Sequence, residues 1–295
     1  MPMKQLPIAG VLATGLALVI SQNAHGQVLY GTAGANYNQN FDSLPNTPQN
    51  VNLQPALQWV DNTTPGASQI GLLGWYLYHP LSLAEGGSNG HQRVRIGAGT
   101  QNTGAFMSFG ASGSTDRSLG NVGSGTLAAT GGDIYIGLRI RNTTGQTLDS
   151  FTLTYNGEQW RDGGVATPGS PTAQTMTFGW STTATSISDA NNLFTSLTSL
   201  DFTTPVFINT GTGAAVDGNV AGRVNGITGT VTGLNWLDGT DLWLRWDDIN
   251  NPNNDHGSGI DDLVFTATAV PEPTTWAVFT MGTLAFVGYR RRKQK

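Results

Sequence analysis

Cysteine is absent from the 295 residues. That absence removes disulfides, thiolate zinc sites, iron–sulfur clusters and cysteine nucleophiles together. Lysine is nearly absent, since Lys4 is the only one before Lys293. Glutamate is scarce as well: Glu85 and Glu158 stand alone between Gln27 and Ala269. In that stretch 16 Asp and 2 Glu face 8 Arg, a formal net charge of −10, whereas the whole chain carries −5 because its ends hold the remaining cations. So little positive charge repels a phosphate backbone and argues against nucleic acid as a partner. Between the two ends no stretch shows helical periodicity with caps, and no fixed-period repeat occurs.

What is abundant points one way. Forty glycines, with many Thr, Asn and Ser, predict many short strands joined by tight turns. The alternation is clearest at Asp133 to Arg141, where Ile134, Ile136, Leu138 and Ile140 interleave with Tyr135, Gly137, Arg139 and Arg141. After the turn Asn142-Thr143-Thr144-Gly145 the residues Phe151, Leu153 and Tyr155 alternate again, which predicts an antiparallel hairpin over 133–156. The same period recurs at Met176, Phe178 and Trp180, and at Leu242, Leu244 and Trp246. Shorter strands are predicted at 37–41, 75–78, 94–96, 105–109, 227–231 and 260–265. The fold class that follows is all-β, a jelly-roll or concanavalin-like β-sandwich, with one large domain over 27–269 and no linker inside it.

The ends are of another kind. Lys4, the apolar run Ile8 to Ile20 and the small-x-small Ala24-His25-Gly26 read as a signal peptide over 1–26, a signal helix removed before Gln27. The alternative is a permanent N-terminal anchor, against which the shortness of the apolar run argues. At the other end Pro271-Glu272-Pro273 precedes an apolar run from Thr274 to Tyr289 and then Arg290, Arg291, Arg292 and Lys293. The prolines hold the chain extended, the run is a short single-span helix, and the cations are the flank that stays cytoplasmic. This tail, 270–295, resembles the PEP-CTERM sorting signal of Gram-negative bacteria. The resemblance implies Sec export, retention as an inner-membrane-anchored precursor, and processing near the motif by an exosortase, with delivery to the cell surface or extracellular matrix. Glu272 is then part of a recognised substrate, not a catalyst.

A second resemblance covers nearly all of 27–269. It rests on Asn40-Phe41-Asp42-Ser43-Leu44, Ser114 to Gly120, Gly157-Glu158-Gln159-Trp160-Arg161, Trp243-Leu244-Arg245-Trp246 and Asn254 to Leu263. These phrases look like the uncharacterised jelly-roll ectodomains that often precede PEP-CTERM tails, which implies a fold and a location but no activity. Phe41-Asp42 early and Ile260-Asp261-Asp262 late also resemble the terminal strands of MAM and related lectin-like sandwiches, which frequently hold calcium. The disulfides typical of MAM domains are missing here.

Three kinds of chemistry remain open. Asp247 to Asp255 is a loop of hard oxygen donors, and Asp42, Asp255, Asp261 and Asp262 are candidate ligands of a structural calcium ion; otherwise the Asn-rich run is a turn bonding its own backbone. No other cofactor is implied. Trp160 and Trp243 are candidate stacking platforms for sugar rings, the alternative being core packing. Glu158 at a strand rim could serve a glycosidase as acid, with Asp116 a possible distant partner, although pairing with an arginine explains it more simply. His256 beside Asp255 lacks a nucleophile elbow and reads as a loop histidine. The leading function is therefore a non-enzymatic, exosortase-processed surface or matrix protein associated with exopolysaccharide. The alternatives are a carbohydrate-binding lectin-like module and, third, a glycoside hydrolase or lyase.

Overall fold

The computed structural model describes residues 26–47, 57–59, 69–78, 93–102, 104–123, 134–165, 170–208, 210–249, 251 and 254–269. These residues contain seventeen strands and two short 3-10 turns. In order they are β1 (Val28–Tyr30), β2 (Asn36–Gln39), β3 (Leu57–Trp59), β4 (Gln69–Ile70), β5 (Trp75–Tyr78), β6 (Arg93–Gly97), β7 (Ala105–Phe109), β8 (Ser118–Val122) and β9 (Ile134–Asn142). Then come β10 (Leu148–Gly164), β11 (Thr175–Ser181), β12 (Thr195–Ser196), β13 (Phe202–Thr203), β14 (Thr212–Ala215), β15 (Arg223–Trp236), β16 (Asp241–Asp248) and β17 (Gly257–Ala269). The signal helix expected before Gly26, the single-span helix and the sorting residues Pro271, Glu272, Pro273, Arg290, Arg291 and Arg292 lie outside the described residues. Among the described residues no helix is long and apolar enough to cross a membrane.

The strands form the expected sandwich. One sheet runs β1-β9-β16-β11-β12, with β5 also on β9 and β13 on β11; the other runs β14-β10-β17-β8-β7-β6-β3-β4, with β15 on β10 and β2 on β17. The predicted hairpin over 133–156 does not form, because β9 and β10 belong to different sheets. Each has one apolar face, and those faces meet across the core rather than edge to edge. The corner is fixed by Asn142, whose Nδ2 donates to the carbonyls of Gln146 (2.8 Å) and Trp236 (3.0 Å).

Aromatic rings fill the space between the sheets. Trp246 from β16 stacks on Trp75 at 5.8 Å and meets the edges of Tyr155 (5.7 Å) and Phe178 (5.2 Å), while Phe41 meets Trp75 at 4.8 Å. Removing a ring so buried costs about 3–5 kcal/mol, since transfer and cavity terms add.

β10 changes character along its length. In its first half Phe151, Leu153 and Tyr155 are buried while Thr152 is exposed, the alternation of a sheet with one wet face. From Gly157 to Gly164 every residue is buried. The second face is covered there by Met107, Phe109 and Val122, which pack with Trp160, while residues 216–222 run along the strand edge, Val216 N donating to Trp160 O and Gln159 N to Gly222 O. At Gly157 the Phe202 ring occupies the space a Cβ would need, so only glycine fits. This doubly covered half of β10 carries Glu-Gln-Trp-Arg-Asp.

Candidate functional site

Successive residues of a strand point to opposite faces, so Glu158 and Gln159 head two separate polar groups. Glu158 is fully buried on the face that holds Trp160. Its Oε2 accepts from Trp160 Nε1 at 3.0 Å, an N–H shared with Ser118 Oγ, and its Oε1 lies 3.5 Å from Arg223 Nη1. Arg223 Nη2 lies 2.8 Å from Asp262 Oδ2. Asp261, on the adjacent strand β17, is buried too, and burial first, then the charge of Glu158, pushes its carboxyl up to about 8. Burial raises Glu158 as well. Among the described residues, Glu158 Oε1 and Asp261 Oδ1 have no hydrogen-bond donor.

Gln159 lies on the other face in a saturated network. Its Oε1 accepts from Val206 N at 2.8 Å, and its Nε2 donates to the carbonyls of Val206 (2.6 Å) and Arg161 (3.1 Å) and lies 3.3 Å from His256 Nδ1. Thr204 Oγ1 lies 2.8 Å from the same Nδ1. On the far side of the ring His256 Nε2 is 3.4 Å from Asp162 Oδ1. Asp162, at a bulged end of β10, also accepts from Gly164 N (3.0 Å) and Ile208 N (2.9 Å); the turn needs Gly164 because φ there is +74. His256 N donates to Gln174 Oε1 at 2.7 Å, and Gln174 Nε2 donates to Asn254 O at 3.0 Å, so β10, 174, 204–208 and 254–256 are tied together. Burial pushes the imidazole below its ordinary value; Asp162 opposes this and Arg161 adds to it.

The sequence-predicted residues are placed as follows. Asp42 is exposed after β2 and accepts from Asn40 Nδ2 at 2.6 Å. Asp255 is buried, accepts from Asn251 N at 2.8 Å, and is pushed up to about 6 by burial. Asp261 faces Glu158, whereas Asp262 adopts a left-handed φ of 48 at a bulge and is exposed. No three acidic or histidine side chains among the described residues are grouped to hold a metal ion. Trp160 and Trp243 belong to different sheets and are both buried, at 3% and 2% exposure, so neither offers an outward ring face. Trp160 is held by Glu158 and Ser118; Trp243 packs on Tyr76 at 4.9 Å with Ala184 and Ile187. The partly exposed rings on that side of β9 are Tyr76, Tyr78 and Tyr135, the last two stacked at 5.6 Å with the Arg245 guanidinium 4.1 Å from the Tyr135 ring centre.

Glu158 has the arginine partner its sequence context suggested, and His256 pairs with Asp162, not with its neighbour Asp255. Asp162, Thr204 and Gln159 carry no motif. The available signal was the phrase Glu158 to Asp162, four polar residues around Trp160 following an alternating strand pattern.

Comparison with known proteins gives three results. Residues 269–293 match the model of the PEP-CTERM protein-sorting motif. A search of curated proteins finds no match. Among solved structures, the K3 cleaved adhesin domain of Lys-gingipain from Porphyromonas gingivalis W83 is similar at 17% identity, covering 65% of this chain and 91% of that one, with a TM-score of 0.35. The CBM22-1 xylan-binding domain from Paenibacillus barcinonensis Xyn10C is similar at 6% identity, covering 82% and 100%, with a TM-score of 0.30.

Proposed function

We propose that this chain is an exported cell-surface or extracellular-matrix protein, delivered through the exosortase route and without catalysis of its own. The observation that carries the reading is the sorting motif at 269–293, which begins on Ala269, the last residue of β17. On this reading 1–26 is removed after Sec export, 27–269 is the delivered domain, and 270–295 holds the precursor in the inner membrane of a Gram-negative cell until exosortase acts. The burial of Glu158 and His256 supports the non-catalytic part, because a general acid or base must reach a substrate. Replacing Pro271, Glu272 and Pro273 together by alanine should leave an unprocessed membrane-bound precursor; normal maturation of that variant would refute the route.

A second reading, carbohydrate binding, is favoured by the half-exposed tyrosines on the outer side of β5 and β9, because sugar rings stack on such faces. Polysaccharide association is then a property of Tyr78 rather than of Trp160 or Trp243, because the Tyr135 ring carries Tyr78 and the Arg245 guanidinium. A glycan array probed with the full chain and with Tyr78→Ala separates the readings: no binding by either favours a structural module.

A further inference from the structure

An exported domain without cysteine or lysine has neither disulfides nor lysine isopeptides to lock it, yet its most saturated polar network has the parts of an acyl-transfer site. We propose that Thr204 and Gln159 form an intramolecular ester, with Thr204 Oγ1 as nucleophile, the Gln159 side-chain carboxamide as acyl donor and His256 as the proton shuttle. The geometry carries it. Thr204 Oγ1 and Gln159 Nε2 approach one and the same imidazole nitrogen, Nδ1, at 2.8 and 3.3 Å. Both Nε2 hydrogens of Gln159 go to the carbonyls of Val206 and Arg161, and Thr204 Oγ1 accepts from Gln174 N at 2.9 Å, so its single O–H has two acceptors, Gln174 O at 3.2 Å and Nδ1 at 2.8 Å. In the reacting form the ring proton is assigned to Nε2, on the side of Asp162, which leaves Nδ1 the nearer acceptor. Oε1 of the same carboxamide receives the N–H of Val206 at 2.8 Å, which is where negative charge develops when the carbonyl is attacked.

The reaction balances without any co-reactant. The Oγ1–H proton moves to His256 Nδ1 as Oγ1 bonds to Gln159 Cδ; the tetrahedral centre collapses, the Cδ–Nε2 bond breaks, and the proton on Nδ1 passes to Nε2, which leaves as ammonia. The product is an ester between β10 and residue 204. Asp162 is a positioning residue, setting the tautomer through Nε2. Thr204, Gln159 and Asp162 are buried almost completely, so water is kept from the amide and afterwards from the ester. Burial also keeps His256 neutral, the form that can take a proton.

Arginine spacing makes the test direct. Tryptic cleavage of the full chain, purified from cells and digested near neutral pH, separates Gln159 in peptide 142–161 from Thr204 in peptide 162–223. The expected species is the two peptides joined, lighter than their sum by about 17 Da for one ammonia, and split by alkaline hydroxylamine into two. Thr204→Val should abolish it, Thr204→Ser should retain it, and Asp162→Asn should lower the linked fraction. Recovery of both peptides separately at unmodified mass from the wild-type chain overturns the proposal, as does a linked species that survives hydroxylamine. A link internal to 162–223 would mean that Gln174 had reacted instead, and also overturns it.

Discussion

Glu158 and Gln159 are neighbours on one strand, equally buried, and their surroundings are opposites. Around Gln159 every amide atom has a partner and the nearby carboxylate, Asp162, takes two backbone N–H groups as well as the His256 ring. Around Glu158 two carboxyl oxygens lack donors among the described residues, and a second acid, Asp261, lies close enough to be shifted by its charge. Buried polar groups stabilise when the network closes and cost free energy when it does not. One face of β10 is thus a closed clasp joining four segments, and the other is a strained acidic cluster held by Arg223 and Trp160.

The sharpest way to break that contrast is to remove one acid from each side. Asp162→Ala orphans the N–H groups of Gly164 and Ile208 and leaves His256 without its partner, so a loss of about 3–5 kcal/mol is expected in urea denaturation. Glu158→Gln keeps the acceptor for Trp160 Nε1, adds donors beside Asp261, and leaves Arg223 its contact with Asp262; about 1 kcal/mol or less is expected. Equal losses would mean that the two faces are not different in kind.

Titration sharpens the contrast further, because the two sides should respond to pH with opposite sign. Asp261 has a folded pKa of about 8 against an ordinary 3.8. Its stabilising contribution is complete below about 3.8 and is lost as pH rises toward about 8. His256 is shifted down from 6.5. Its contribution is present above about 6.5 and is lost as pH falls through the lowered value. Asp255, raised to about 6, has the sign of Asp261 although it adjoins His256 in sequence. Urea midpoints measured across pH should therefore lose their alkaline decline in Asp261→Asn and their acid decline in His256→Gln. If either variant runs parallel to wild type, the group concerned does not titrate differently on unfolding.

The two halves of β10 also mark how far sequence could reach. Phe151, Leu153 and Tyr155 announce a half-buried strand because water on the other face leaves threonine there. Beyond Gly157 that alternation vanishes, for a strand covered on both faces has no wet side to write a period. Pairing was illegible for a different reason: residues 133–156 are two amphipathic strands around a turn, and such a pattern fits an edge-to-edge hairpin and a crossing between layers equally well. Thr204 and Gln159 are 45 positions apart, and their meeting at His256 is decided by long-range register at the β10–β17 end, which no local spacing records.

The smallest expected effect lies on the wet half of β10, and it tests whether the covering layer, rather than the strand itself, makes the other half sensitive. Thr152 and Thr230 pair across β10 and β15 at 2.8 Å, with Thr154 and Thr228 at the same distance one step on. Their hydroxyls face solvent, so water replaces a lost partner, and cross-strand pairs of this kind are worth about 0.2–1 kcal/mol. Thr152→Ala should therefore shift stability by about 0.5 kcal/mol at most, with the pH profile unchanged. A loss approaching that of Asp162→Ala would show that the Thr face is covered in the folded protein, and the division of β10 into a wet half and a clasped half would fall.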